Sequence, residues 1–203
     1  MDYIYHYQSF LGGITMASDG THLIGLWFDG QKYFADSLRG PIQEKSLPVF
    51  KDTCRWLDTY FSGKDPGFTP PLAMRTTPFR KQVWEIMLQI PYGRTLTYGE
   101  IADKIAKKRG IKKMSAQAVG GAVGHNSISL IIPCHRVIGA DGNLTGYAGG
   151  IKTKIKLLNL EGIQLKESSP TSRRYKDKLV LVPSPISYTK TTFVHFFLSG
   201  NLS

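Results

Sequence analysis

Short apolar runs broken by turn dipeptides dominate residues 10 to 36, where Gly12-Gly13, Asp19-Gly20 and Asp29-Gly30 separate segments such as Leu23 to Phe28. This punctuation predicts short antiparallel strands joined by tight turns. The period then changes. From Ser46 to Phe61 the apolar positions Phe50, Cys54, Leu57 and Phe61 recur at spacings of four, three and four, which predicts one buried helix face closed by Gly63. Cys54 on that face reads as core packing. Lys64 to Pro71 is rich in Pro and Gly without periodicity and predicts a linker that runs on for a few residues.

Helical signals resume at Thr77, a good N-cap, with Pro78 at the first helical position. Phe79, Val83, Ile86, Met87 and Ile90 face inward before Pro91 stops the helix. Thr97-Tyr98-Gly99-Glu100 has the capping-box form and opens a helix over Ile101, Ala102 and Ile105. A further short helix starts near Ser115 and consists of small residues, Ala116, Ala118, Gly120, Gly121 and Ala122. Two short helices with a basic connection fit a helix-turn-helix, and they fit a plain packed pair equally well. Glycine inside a helix costs about 1 kcal/mol against alanine, so Gly120-Gly121 points to close approach of the backbone to something else. Ser129 to Ile132 is an apolar, strand-like run that leads into Pro133-Cys134-His135-Arg136-Val137.

Charge sharpens the picture. The 203 residues carry a formal charge of +11, and seven positive side chains face two negative ones between Arg94 and Ala118. Such an excess suits a polyanion, whether DNA, RNA or an anionic membrane surface, and charge alone does not choose among them. A basic stretch beside a glycine-bearing helix favours a nucleic-acid backbone. Two cysteines in unrelated contexts, Cys54 and Cys134, make no disulfide framework and indicate a reducing compartment, the cytoplasm. The N-terminus lacks the pattern of a signal peptide, and no apolar run is long enough to span a bilayer, so a soluble chain is expected.

Cys134 and His135 are the candidate chemistry. A cysteine acts as a nucleophile only as thiolate and needs a base or a positive field nearby. Neighbours in an extended strand point to opposite sides, so proton transfer between these two requires a turn or an intervening water. From the residues alone, a reactive pair and a buried cysteine beside a structural histidine both remain open.

The segment Ile132-Pro133-Cys134-His135-Arg136-Val137, preceded by Ala118-Val119-Gly120-Gly121-Ala122 and Asn126 and followed by Gly146-Tyr147-Ala148-Gly149-Gly150, resembles the O6-alkylguanine-DNA alkyltransferases, or methylated-DNA–protein-cysteine methyltransferases. The resemblance spans residues 1 to 163, weakly at first and strongly from Thr77. It implies an α+β fold with a small antiparallel-sheet and helix domain with linker over residues 1–76. A mainly helical domain with a helix-turn-helix and the active-site Cys loop would cover residues 77–163. Residues 164–203 lie outside it and read as a basic, weakly ordered extension whose removal should spare the chemistry.

Carried over by position, the resemblance makes Cys134 the alkyl acceptor and His135 a base working through a water. Glu161, at the end of a helix from Ile151 to Leu160, would orient His135. Asn126 would be the hinge between the recognition helix and the active-site strand, Tyr98 would contact the target base, and Tyr147 would wall its pocket. The Cys134 and Val137 carbonyls would read the guanine amine and the backbone N–H of Ala148 would contact the base, while Arg136, Ala118, Gly120 and Gly121 would lie on the substrate and DNA side. Without the resemblance, Glu161 reads as a surface carboxylate before Gly162, Asn126 as a helix C-cap, and Tyr98 and Tyr147 as packing. One departure stands out: Gln117 occupies the position where much of the family has an arginine finger.

The implied activity is repair of duplex DNA containing O6-alkylguanine by irreversible, stoichiometric transfer to Cys134 after the base is flipped, with O4-alkylthymine as a second candidate substrate. The chemistry needs no cofactor, no Cys and His set matches the zinc site of some relatives, and a monomer is expected. Competing readings are a non-catalytic sensor of alkylated DNA, a thiol hydrolase using Cys134 and His135, and a transcriptional regulator. Retention of Cys134 argues against the first, and the adjacency of the pair against the second.

Overall fold

The computed structural model describes residues 1–167 and 179–181. Its sheet begins earlier than the turn signals indicated, because the alternation of Tyr3, Tyr5 and Tyr7 already forms β1 (Asp2–Ser9). β2 (Gly12–Ser18) and β3 (Leu23–Phe28) follow as an antiparallel meander with β1. Residues 29–41 then carry the chain back across the sheet, so that β4 (Ile42–Glu44) joins the free edge of β1 in parallel and the order becomes β3-β2-β1-β4. The sheet is therefore mixed, a correction to the expected antiparallel one. Every residue of β3 is buried. One face of the sheet meets the main core, and the other is covered where Ala17, Ile24 and Trp27 pack with Leu38 and Ala73.

α1 (Pro48–Phe61) lies against the tyrosine face, with Tyr5 stacked on Phe50 at 5.8 Å and Tyr7 on Phe61 at 6.3 Å. Its fully buried side is Phe50, Thr53, Trp56, Leu57 and Tyr60, so the stripe is rotated from the expected one and Cys54 and Phe61 sit half-buried at its rim. The aromatic rings of Trp56 and Tyr60 account for the rotation, since they bury the most apolar area. Gly63 ends the helix at φ 79°, a conformation that glycine adopts without strain. The stretch read as a linker is tied down. Trp56 Nε1 donates to Phe68 O, Leu23 N to Pro71 O and Ala73 N to Leu23 O, which lays residues 71–73 along β3.

α2 (Pro78–Met87) starts as expected, with Thr77 Oγ1 accepting from Arg80 N, and buries Val83, Trp84, Ile86 and Met87. After β5 (Leu96–Thr97) the capping box forms in full: Glu100 N donates to Thr97 Oγ1 at 3.1 Å and Thr97 N to Glu100 Oε2 at 2.7 Å. α3 (Tyr98–Arg109) runs to Gly110 in the left-handed conformation, and Ser115 Oγ caps α4 (Ala116–Gly124). α3, the turn 110–115 and α4 make the helix-turn-helix, and Trp84 Nε1 fastens α4 to α2 through Ala122 O at 2.9 Å. β6 (Val137–Ile138) pairs in parallel with β5, and α5 (Ile151–Leu160) packs behind it. One hydrophobic cluster runs through Met16, Leu26, Leu57, Trp84, Cys134 and Leu157, joining sheet, helices and cysteine loop. Beyond residue 163, β7 (Leu165–Glu167) pairs with β8 (Leu179–Leu181). Residues 168–178 and 182–203, most of the expected weakly ordered extension, lie outside the described residues.

Candidate active site

α4 ends at His125, and the side chain of Asn126 organises the loop beyond it. Its Oδ1 accepts from Ile128 N at 3.0 Å, while Nδ2 donates to Ile132 O at 2.7 Å and lies 3.2 Å from Cys134 Sγ. One amide thus closes the loop 127–133 and holds the sulfur. The run Ser129–Ile132 is a turn and not the expected strand, with Leu130 at φ 68°. Leu26 pairs on both sides of Ile128, through Leu26 N to Ser127 O and Ser129 N to Leu26 O, and the chain then bends away. The run is apolar because Ile128, Leu130 and Ile132 are buried on all sides, not because one strand face is.

Cys134 to Arg136 form a single 3₁₀ turn, so consecutive side chains no longer oppose each other as they would in a strand. That turn supplies the bend the Cys-His pair required. His135 is fully buried and its Nε2 lies 2.6 Å from Glu161 Oε1. The same oxygen accepts from Tyr60 OH at 2.7 Å and Arg136 Nη2 at 3.1 Å, while Oε2 accepts from Arg136 Nε at 2.8 Å and Gly93 N at 3.1 Å. Gly93 allows this contact from φ 69°, and a Cβ there would stand 3.1 Å from Glu161 O. Burial by itself would raise the Glu161 carboxyl, but the hydrogen bond of His135 and the charge it takes up in acid, and then those of Arg136, outweigh it and hold the carboxyl at about 2.

Burial keeps His135 below its ordinary value despite the attraction of Glu161, so the imidazole is neutral near pH 7. With Glu161 ionised, Nε2 carries the proton and Nδ1 is left as the acceptor. That Nδ1 is buried and has no hydrogen-bond partner. Cys134 is 4% exposed. Burial pushes its thiol up, while the Asn126 amide and the charge of Lys154 pull the other way.

Cys134 opens onto a cavity of about 370 Å³, of the size that takes small ligands. Tyr98, Gly120, Gly121, Tyr147 and Ala148 line it. Tyr98 OH accepts from Thr145 Oγ1 at 2.9 Å. Tyr147 stands edge-on to His135 at 6.5 Å, with its hydroxyl near Cys134 and Ser129 but in good hydrogen-bond geometry with neither. A Cβ on Gly120 would only touch the Tyr98 ring at 3.8 Å, and one on Gly121 would meet nothing within 4 Å. Neighbouring residues do not demand these glycines, so the space they leave faces whatever enters the cavity. Gln117 and Ala118 are exposed on α4, outside the cavity lining.

One of the expected substrate contacts is placed elsewhere. Arg136, expected on the substrate and DNA side, is 8% exposed and turned inward, with Nη1 donating to Ile90 O at 2.7 Å and the rest of its guanidinium on Glu161. A buried carboxylate demands such a partner, and that decides the direction of the side chain. The Val137 carbonyl accepts from Lys154 Nζ at 2.6 Å, which occupies one of its lone pairs.

Tyr60 and Lys154 were missed. Tyr60 continues the apolar face of α1 and carries no local mark of a polar duty. Lys154 did leave a signal, since it sits three and four residues before the buried Leu157 and Leu158 on the inner stripe of α5. Burial lowers its ammonium to about 8. Lys32 and Tyr33 also reach the cavity, Tyr33 stacking on His125 at 4.1 Å and Lys32 N donating to Ala148 O.

Residues 78–163 match the family model of the 6-O-methylguanine DNA methyltransferase DNA-binding domain, and residues 3–74 that of the ribonuclease-like domain. A methylated-DNA–protein-cysteine methyltransferase of Mycobacterium tuberculosis is 42% identical over 162 residues, covering 77% of this chain and 92% of the relative. One from Methanosarcina barkeri is 50% identical over 117 residues, covering 58% of this chain and 71% of the relative. Among solved structures, Mycobacterium tuberculosis OGT in complex with DNA is similar at a TM-score of 0.67 and 40% identity, over 78% of this chain and 92% of that one. A cysteine held beside a buried His-Glu pair, on a helix-turn-helix scaffold matched along both halves, identifies the chain as a member of the methylated-DNA–protein-cysteine methyltransferase family.

Proposed function

We propose that the chain repairs alkylated DNA by direct reversal, moving a methyl or larger alkyl group from O6 of guanine to Sγ of Cys134. The observation that carries this reading is the buried His135, clamped through Nε2 by Glu161 and left with an unpartnered Nδ1 beside a cysteine that opens onto a base-sized cavity.

The arrangement supports the following chemistry. His135 Nδ1 takes the thiol proton through one bridging water, and Glu161 stabilises the imidazolium that forms. The thiolate attacks the alkyl carbon in line, a C–S bond forms, and the C–O6 bond breaks with its electron pair going to guanine. The proton released from Cys134 ends on the ring nitrogen of the restored base. Asn126 Nδ2 donates to the sulfur as its charge develops. A thioether has no ready leaving route, so each molecule acts once. No step needs a cofactor.

Cys134 is buried within its cavity, whereas O6 of a stacked guanine lies in the groove, so the nucleotide must leave the stack at a cost of a few kcal/mol. Duplex DNA is the partner, met by the exposed α4 face with Gln117 and Ala118, and the flipped base sits between Tyr98, Tyr147 and the glycines of α4. A monomer suffices, because every group invoked belongs to one chain. The reaction consumes a free thiol, which suits the reducing cytoplasm.

Intact-mass measurement after incubation with duplex carrying O6-methylguanine tests this. One added methyl per molecule is expected, on Cys134, with none on Cys54 and none in Cys134→Ala. Repair of many lesions per molecule would overturn the proposal.

A further inference from the structure

Across His125 from the Cys134 cavity lies a second hollow of about 320 Å³, bounded by the segment 36–39, the start of α2 and Ser127. Three arginines line it, Arg39, Arg75 and Arg80. Arg75 is held by Asp2 Oδ2 at 2.7 Å. Neither Arg39 nor Arg80 forms an ion pair with any carboxylate among the described residues. Asp36 is the one carboxylate in the lining, so with Arg75 neutralised by Asp2 the hollow keeps one excess positive charge before His125 is considered.

Two hydroxyls in the same lining lack partners. Ser127 is 3% exposed and its Oγ makes no hydrogen bond, and Thr76 Oγ1 is likewise buried and unpaired. Buried polar atoms are normally satisfied, and leaving one unpaired lowers stability, so two unpaired hydroxyls on residues that line a cationic hollow call for an acceptor. The ten-residue α2 begins at Thr77 and Pro78 on the same wall, and its N-terminal dipole favours negative charge there. Guanidinium forks, hydroxyl donors and a helix start together match a tetrahedral oxyanion.

We propose that this hollow binds a phosphate group, and that the phosphate is a backbone diester of the DNA whose flipped nucleotide occupies the neighbouring cavity. His125 lines both spaces, so an anion here lies one side chain away from the base pocket, within reach of the phosphates that flank the flipped nucleotide. The assignment of the source to DNA rests on the proposed repair function. The hollow itself does not.

The test compares wild type, Arg39→Gln/Arg80→Gln and Ser127→Ala. Binding to undamaged duplex is measured over a range of salt, and the double variant is expected to bind several-fold more weakly with a log–log salt slope shallower by about one. Alkyl transfer from a free O6-alkylguanine base, which needs only the Cys134 cavity, stays unchanged in all three. Inorganic phosphate, titrated at fixed ionic strength, raises the melting temperature of wild type but not of Ser127→Ala, whose own melting temperature without phosphate is equal to or above that of wild type because an unpaired hydroxyl has gone. Equal salt slopes together with equal phosphate responses would overturn the site. A phosphate response lost in the variants while the salt slope stays the same would overturn the DNA assignment and leave a small-phosphate site. Failure of wild type to methylate Cys134 would overturn the repair function instead.

Discussion

Tyr60, in the last turn of α1, donates its hydroxyl to Glu161 Oε1 over 2.7 Å, across 101 residues of sequence. The N-terminal half thus reaches the group that orients His135. Burial raises the Tyr60 phenol far above its ordinary value, and the neighbouring carboxylate adds to this, so the hydroxyl stays a donor at any working pH.

Tyr60→Phe should therefore act on stability and on the rate together. A hydrogen bond to a charged group contributes about 1.5–3 kcal/mol, so a loss of about 2 kcal/mol is expected in denaturant unfolding. Alkyl transfer from a free base should slow, but by much less than the 10²-fold or more of a lost general base, because Arg136 and His135 still hold the carboxylate. A fully active variant of unchanged stability would remove Tyr60 from the network.

Glu161 makes stability depend on acid. Its folded value of about 2 lies below the unfolded 4.5, so the stabilisation is fully present above pH 4.5 and is lost as pH falls through 2. Linkage puts the swing on the order of 3 kcal/mol. Glu161→Gln should abolish that dependence and should be less stable at neutral pH, because the Arg136 charge would be left buried without its partner. Unfolding curves of both proteins between pH 2 and pH 6 decide the matter, and parallel pH profiles would count against the pairing.

The rate should respond to acid later than an exposed histidine would. Burial depresses His135 below 6.5, so its base form persists to lower pH. The acid limb of single-turnover alkyl transfer from a free base should accordingly fall below the ordinary imidazole range. An inflection at or above 6.5 would show that His135 is not the titrating base.

Gln117 is exposed on α4, outside the cavity lining. Gln117→Arg should tighten binding to lesion-bearing duplex, raise the bimolecular repair rate and steepen the salt slope by about one, since it adds one cation at the proposed DNA face. The reaction with a free base should not change. An equal effect on both reactions would place residue 117 at the chemistry or in folding instead.

What the sequence determined by itself was local. The caps Thr77, Thr97 and Ser115, the glycine stops at Gly63 and Gly110, and the faces of α2 and α3 depend on groups within about four residues of each other, so the pattern carries them. The order of motif residues around Cys134 was equally readable, being contiguous in the chain. Tertiary structure decided the rest. The apolar run 129–132 became a turn because burial on all sides, unlike a strand face, leaves no alternation to read. β4 paired in parallel because a crossing of the sheet has no local signature. Arg136 turned inward, and Tyr60 and Lys154 joined the site, because a buried carboxylate and a buried carbonyl must find donors, and the donors that fit come from segments 25 to 101 residues away, or 17 for the lysine. Such demands arise only once the core has excluded water, and no single stretch of sequence records them.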